Sequence, residues 1–279
     1  MEIQWIEAVL SATLVAGTPL ILVALGLLIN ERAGVLNLGA EGMMAIGAVC
    51  GFMAAWTLGN PWAGAAAGIL AGMLMAFLFA VLTITLQANQ VASGLALAIF
   101  GIGLSAFIGK PFEAAALPAV PAWSIPWLVD VPFLGPVFFQ QPPMVFVSWI
   151  LFVVVLGFLY HSRPGLALRA TGEDPSAAHA IGYSVVRIRY LAVLFGGGMA
   201  GLGGATLSVF YLPMWAEGMV AGRGWIALAL VVFATWRPFR VLIGAYLFGG
   251  VMIAQMFVQG AGLPVAVPAQ LLSALPYLA

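Results

Sequence analysis

Asn37 and Glu41 are the side chains whose type and spacing point first to chemistry. They stand four residues apart in the stretch Asn30-Glu31-Arg32-Ala33-Gly34-Val35-Leu36-Asn37-Leu38-Gly39-Ala40-Glu41-Gly42. On a helix that spacing puts them on one face. If that face lies within a bilayer, both groups are costly there, and such groups are usually kept for a task. An amide and a carboxylate so placed would hydrogen-bond the hydroxyl or amide groups of a polar solute. A satisfied contact between two helices accounts for the pair equally well.

A second polar break, Trp215-Ala216-Glu217-Gly218-Met219-Val220-Ala221-Gly222-Arg223-Gly224-Trp225, mixes aromatic and charged groups with glycines. Trp225 is placed to stack on a base or sugar ring. An interfacial tryptophan beside a Glu217–Arg223 ion pair is the plainer reading. Asn89 and Ser93, in the joint Gln87-Ala88-Asn89-Gln90-Val91-Ala92-Ser93-Gly94 between two spans, are further site candidates. Enzymatic signals are absent. The two histidines, His161 and His179, both fall in one polar segment, and there is neither an HExxH pattern nor a phosphate-binding glycine loop. No convergent nucleophile, base or metal set supports a membrane-embedded enzyme, and the single Cys50 excludes an intrachain disulfide or a cysteine metal cluster.

The segment 161–189 carries four arginines, Arg163, Arg169, Arg187 and Arg189. Within it Pro164-Gly165 reads as a turn. Glu173-Asp174-Pro175 reads as a helix start, since the Asp174 carboxylate can accept a first-turn amide and proline suits the first helical position. Ala177, Ala178 and His179 continue a helix of about two turns over 175–181, which Gly182 would end in the left-handed position. Ser184 is placed to cap the helix that follows. A short, smooth, alanine-rich helix flanked by charge suits insertion into a partner's groove; a plain surface connection is the alternative.

The elements that must hold these residues are set by composition. Of 279 residues, 64% are hydrophobic and 6% charged, with nine basic and nine acidic groups, whereas a soluble domain carries about 25% charged residues. The bilayer is therefore the solvent, the fold is an all-α polytopic transmembrane bundle, and the neutral balance implies no nucleic acid partner. Apolar runs at 6–29, 43–58, 62–86, 91–109, 144–160, 188–210, 225–236 and 239–258 give seven or eight membrane segments. The runs 43–58 and 225–236 are short and follow glycine-containing breaks, a pattern that marks transport sites. The N-terminus lacks the basic region of a signal peptide, so the first run is expected to be a retained span.

Arginines at 163, 169, 187, 189, 237 and 240 place those connections in the cytoplasm. Counting back, the N-terminus lies outside, with Lys110 as a lone contrary charge. The loop 110–143 holds eight of the seventeen prolines together with Trp123 and Trp127. It is an irregular outer cap: either a connector with aromatic anchors or a docking surface. Gly64, Gly68 and Gly72 recur every four residues, a helix-packing face.

With these motifs assembled, the chain resembles the permease subunits of bacterial ABC importers of the branched-chain amino acid type, closest to the simple-sugar and nucleoside branch. The resemblance rests on ERAGVLNLGAEGMMAIGA (31–48), NQVASGLALAIFGIGLSAF (89–107), GLALRATGEDPSAAHAIGYSVVRIRYLAVLFGGGMAGLGGA (165–205) and AGRGWIALALVVF (221–233). It implies one permease domain over 1–279 in the cytoplasmic (inner) membrane of a bacterium, importing a nucleoside or related sugar-like solute. It implies that 175–181 is a coupling helix for a cytoplasmic ABC ATPase that binds ATP and magnesium, the permease itself holding no cofactor. It also implies a second permease, as a heterodimer around a central pathway, and a periplasmic or lipid-anchored solute-binding protein, in contact with membrane lipid. Asn37, Glu41, Ser93 and Trp225 become the pathway positions. Family members usually continue into a last span and a basic tail where this sequence stops at Pro276-Tyr277-Leu278-Ala279, which leaves open whether a final span follows. The rival reading is an ion-coupled secondary transporter with Glu41 as its protonatable group.

Overall fold

The computed structural model describes residues 2–260, and the question of a span beyond residues 276–279 lies outside them. Ten helices organise the described residues: α1 (Glu2–Arg32), α2 (Ala40–Leu58), α3 (Pro61–Ala80), α4 (Gln90–Gly109), α5 (Pro143–His161), α6 (Arg163–Glu173), α7 (Pro175–Ala180), α8 (Val185–Ala205), α9 (Arg223–Phe233) and α10 (Pro238–Gly260). Seven are long and apolar enough to cross a membrane, and α9 is a shorter apolar helix. The class is therefore nearly all-α. A single two-residue antiparallel ribbon, β1 (Trp123–Ser124) with β2 (Gln140–Gln141), lies in the proline-rich loop.

Local chemistry explains where the helices begin and end. Gly59 leaves α2 with φ +64°, and the Asn60 side chain then accepts the Trp62 amide with Pro61 in the first turn of α3. A tight Gly-Asn turn thus joins two antiparallel spans. Asn89 caps α4 by accepting the Ala92 amide at 3.0 Å. α3 and α8 each relax into wider turns at their ends, Val81–Thr85 and Thr206–Tyr211.

α1 and α8 form the buried heart of the bundle, while α4 and α10 are largely exposed. α8 meets α3 through glycines: a Cβ on Gly72 would stand 2.8 Å from the Gly201 Cα, and one on Gly68 would stand 2.9 Å from the Gly201 carbonyl oxygen. In lipid there is no hydrophobic drive between helices, so close backbone approach and dispersion hold such faces together. The expected packing role of Gly64, Gly68 and Gly72 is what the structure contains.

The connections sort onto two ends. At one end the outer loop pairs Leu117 with Pro213 (2.8 Å) and is tied to α1 by Gln141 Nε2 donating to Ser11 Oγ at 2.8 Å. At the other, Arg189 Nε donates to the Ala33 carbonyl at 3.2 Å and Trp236 hydrogen-bonds Glu31. The arginine-bearing connections share this second end, which the positive-inside rule makes cytoplasmic.

Three expectations need correction. The run taken as the short segment 43–58 is a full span of 19 residues, because the helix starts at Ala40 and takes in Glu41 and Gly42. Pro164-Gly165 is the first turn of α6 rather than a free turn: Ser162 Oγ accepts the Gly165 amide at 3.0 Å, and proline costs nothing where the amide has no intrahelical partner. Ser184 stands at the N-cap position of α8 without making a capping bond.

Candidate functional site

Glu41 sits in the first turn of α2, buried, and its carboxylate reaches across to the second polar break. Oε1 accepts the Gly222 amide at 2.8 Å and Oε2 accepts the Gly224 amide at 2.7 Å. Those amides belong to the start of α9. The stretch before it descends from the outer end as irregular chain: Met214 bridges to Ala116, Trp215 packs on Val49 and Phe52 of α2, and Gly224 touches the Glu41 backbone. α9 then covers the remaining depth with 11 residues, about 16 Å at 1.5 Å per residue, roughly half of the ~30 Å apolar core. Its N-terminus therefore opens inside the bundle. Non-helical backbone at such depth must be satisfied by protein or by a watery cavity.

A cavity of about 230 Å³ lies at that point, walled by α2 (Glu41, Ala45, Ala48), α4 (Ile102, Ser105, Ala106) and the descending stretch with Trp215 and Trp225. Trp215 closes it on the outer side and is 1% exposed, while Trp225 is 44% exposed at its wall. Ser105 Oγ donates to the Ala45 carbonyl at 3.0 Å. Arg223 Nη1 turns back onto its own loop, donating to the Met219 carbonyl at 2.8 Å. Two roomier cavities, about 360 and 640 Å³, are lined almost wholly by apolar side chains between α1, α5, α6 and α8 and between α3, α5 and α8. They offer a polar solute nothing to recognise.

The structure brings Glu41 and Trp225 together and leaves Asn37 and Ser93 apart from them. Asn37 is not on a helical face with Glu41: it lies in the loop before α2, where Oδ1 accepts the Gly39 amide at 3.0 Å and Nδ2 meets Met43 Sδ at 3.5 Å. The asparagine folds its own loop, so the four-residue spacing does not operate. Ser93 is in the first turn of α4, twelve residues before Ser105, about 18 Å along the axis. Asn37 and Ser93 lie toward the cytoplasmic end of the bundle, where Gly94 packs on the Leu38–Gly39 backbone. Ser105 and Trp215 were missed. Ser105 was visible as a hydroxyl deep inside the apolar run of α4, and Trp215 as the first residue of the second break.

In the cytoplasmic segment, Asp174 Oδ1 accepts the Ser176 and Ala177 amides at 2.9 and 3.0 Å. α7 ends one residue earlier than expected, at Ala180. Gly182, at φ +94°, completes a double-bonded C-terminal cap, with its own amide on His179 and that of Tyr183 on Ala178. Ala178 is buried against the segment, while Glu173, Asp174, Ala177 and His179 are exposed.

The model of the branched-chain amino acid transport system permease component matches residues 9–277. TsgC13 of Haloferax volcanii, an ABC transporter permease protein provisionally assigned to glucose, is 46% identical over 244 residues, 86% of this chain and 74% of its own. NupC of Lactococcus lactis, a nucleoside ABC transporter permease protein, is 30% identical over 289 residues, 99% of this chain and 90% of its own. A solved ABC transporter in an inward-facing conformation, provisionally assigned to the metal-chelate type, superposes with a TM-score of 0.51 at 18% identity, covering 97% of this chain and 83% of that one, a likeness of fold alone.

Proposed function

The chain belongs to the permease component family of branched-chain amino acid transport systems, and on that premise we propose that it imports a nucleoside or related sugar-like solute. As an ABC permease it is a translocation subunit of the membrane and not an enzyme. Such a subunit works with an ATPase and a solute-binding protein. Its specific partners on this reading are a cytoplasmic ATPase carrying ATP and magnesium, a second, non-identical permease, and a periplasmic or lipid-anchored binding protein.

The observation that carries the reading is the cavity at the start of α9. At about 230 Å³ it falls just short of the 300–1,000 Å³ of complete ligand clefts, as expected of one wall of a pathway that a second permease completes. α4 exposes Ile99, Phe100 and Ile102 beside it, a face suited to such a partner. Trp225 offers a ring to stack a base or sugar, Ser105 offers a hydroxyl, and the glycine-rich stretch offers bare backbone. Asn37 and Ser93 flank the cytoplasmic mouth of the same route. The names of the relatives, nucleoside in one and glucose in the other, favour a solute with a sugar ring. On the cytoplasmic side, α7 with Glu173, Asp174, Pro175, Ala177, Ala178, His179 and Gly182 is the contact that passes ATPase motion to the bundle.

The deciding experiment is uptake into proteoliposomes. The complete set of subunits with internal ATP should accumulate labelled nucleoside, and omission of the ATPase should abolish it. Uptake by the permease alone under a proton gradient would instead establish the ion-coupled mechanism on Glu41. Nothing in the site favours that mechanism, because both Glu41 oxygens already accept backbone amides.

A further inference from the structure

The first amides of any helix lack intrahelical partners and carry its positive end. α9 has no cap of its own: Gly222 occupies the N-cap position, with φ +83° and no side chain. The cap comes instead from another span, as Glu41 supplies both oxygens to the Gly222 and Gly224 amides. The fit requires glycine, since a Cβ at position 224 would stand 2.6 Å from the Glu41 Cα. The far end of α9 is held in the opposite sense. Arg32 Nη2 donates to the Trp236 carbonyl at 2.9 Å just beyond its last turn, and the Trp236 indole donates to Glu31. Arg32 and Glu41 bracket the connection between α1 and α2, so one short joint grips both ends of the half-helix with complementary charge.

We propose that Glu41 is a positioning residue for transport: it seats the start of α9 and thereby fixes Trp225 and the stretch 215–222 as the cavity wall, without itself contacting the solute. Arg32 is the counter-hold at the other end. The proposal rests on the cavity being the translocation route.

The test uses the assembled transporter with Cys50 replaced by serine, an Ala221→Cys reporter on the exposed stretch and, separately, a Ser176→Cys control on α7. Glu41→Gln removes the charge and leaves a single acceptor for two amides. It is expected to speed thiol labelling at 221 several-fold, leave labelling at 176 unchanged, and lower the maximal transport rate, with any rise in the half-saturating solute concentration appearing only together with the faster labelling. Arg32→Gln should shift both readouts the same way, by less. Should E41Q not reach the membrane, Glu41→Asp, which withdraws the charge by one methylene, carries the same expectation. A weaker half-saturation with unchanged labelling at 221 would mean that Glu41 binds solute directly and would overturn the proposal, as would no change in either readout. Faster labelling at 221 with normal transport would support the seat and reject the cavity as the route.

Discussion

Gly172 of α6 lies backbone to backbone against Arg32 at the end of α1: a Cβ at position 172 would overlap the Arg32 carbonyl oxygen and stand 3.1 Å from the Gly34 nitrogen. This places the cytoplasmic segment directly on the joint that grips α9. Gly172→Ala forces the two apart, and overpacking of this kind costs about 1–3 kcal/mol. The expected outcome is a transporter that assembles and hydrolyses ATP but moves solute more slowly. Parallel measurement of ATPase and uptake rates checks it, and an unchanged ratio of the two would refute it.

α7 is too short to persist without its caps. Asp174→Ala removes the acceptor for two first-turn amides, a loss of about 1 kcal/mol. Gly182→Ala meets no steric obstacle, since nothing lies within 4 Å of its Cβ position; its penalty comes from the left-handed backbone and is about 1–2 kcal/mol. Each is expected to reduce uptake and leave the melting temperature of the exposed-ended bundle nearly unchanged. Asp174→Asn, an equally good cap, should restore transport, whereas a requirement for the charge would keep it inactive.

Much of this was readable in the sequence, for reasons that differ by element. The caps of α7 were legible because Asp174, Pro175 and Gly182 act on neighbours within a few residues. The spans were legible because apolar length is a one-dimensional property. Asn37 does not share a helical face with Glu41, because its side chain finds a local partner, the Gly39 amide, and holds the loop before α2. Glu41 stands out in the sequence as a charged group beside an apolar run, but its partners lie 181 and 183 residues away, and no spacing rule reaches that far. Ser105 escaped notice because a hydroxyl in an apolar helix is common, and its position beside the cavity depends on how α4 is rotated against α2.

The glycines divide into two kinds with opposite expected behaviour. Gly68→Ala presses on the Gly201 carbonyl and the Ala205 side chain, whose Cβ would lie 2.6 Å away, so the α3–α8 contact must open and the detergent-solubilised protein should melt at a lower temperature. Gly103 and Gly157 have nothing within 4 Å. Alanine there is expected to be neutral or to stabilise by up to about 1 kcal/mol through helix propensity. Thermal unfolding of the three variants side by side separates the cases, and similar melting points would show that the close approach of α3 to α8 is not needed.

Trp215 and Trp225 border one cavity and should fail in different ways. Trp215 is buried, with its ring against Gly109, Val49 and Phe52. Trp215→Ala leaves a void where the outer closure stood, and truncations of this size cost about 3–5 kcal/mol. A marked fall in melting temperature is expected, with loss of transport as a consequence. Trp225 is nearly half exposed, so Trp225→Ala gives up little packing and should melt close to the unsubstituted protein. Its loss should appear in transport, as a higher half-saturating solute concentration that Trp225→Phe partly restores, because stacking needs a ring and not the indole nitrogen. If Trp225→Ala transported normally at low solute concentration, ring stacking would be rejected and recognition would fall to Ser105 and the exposed backbone of 216–222.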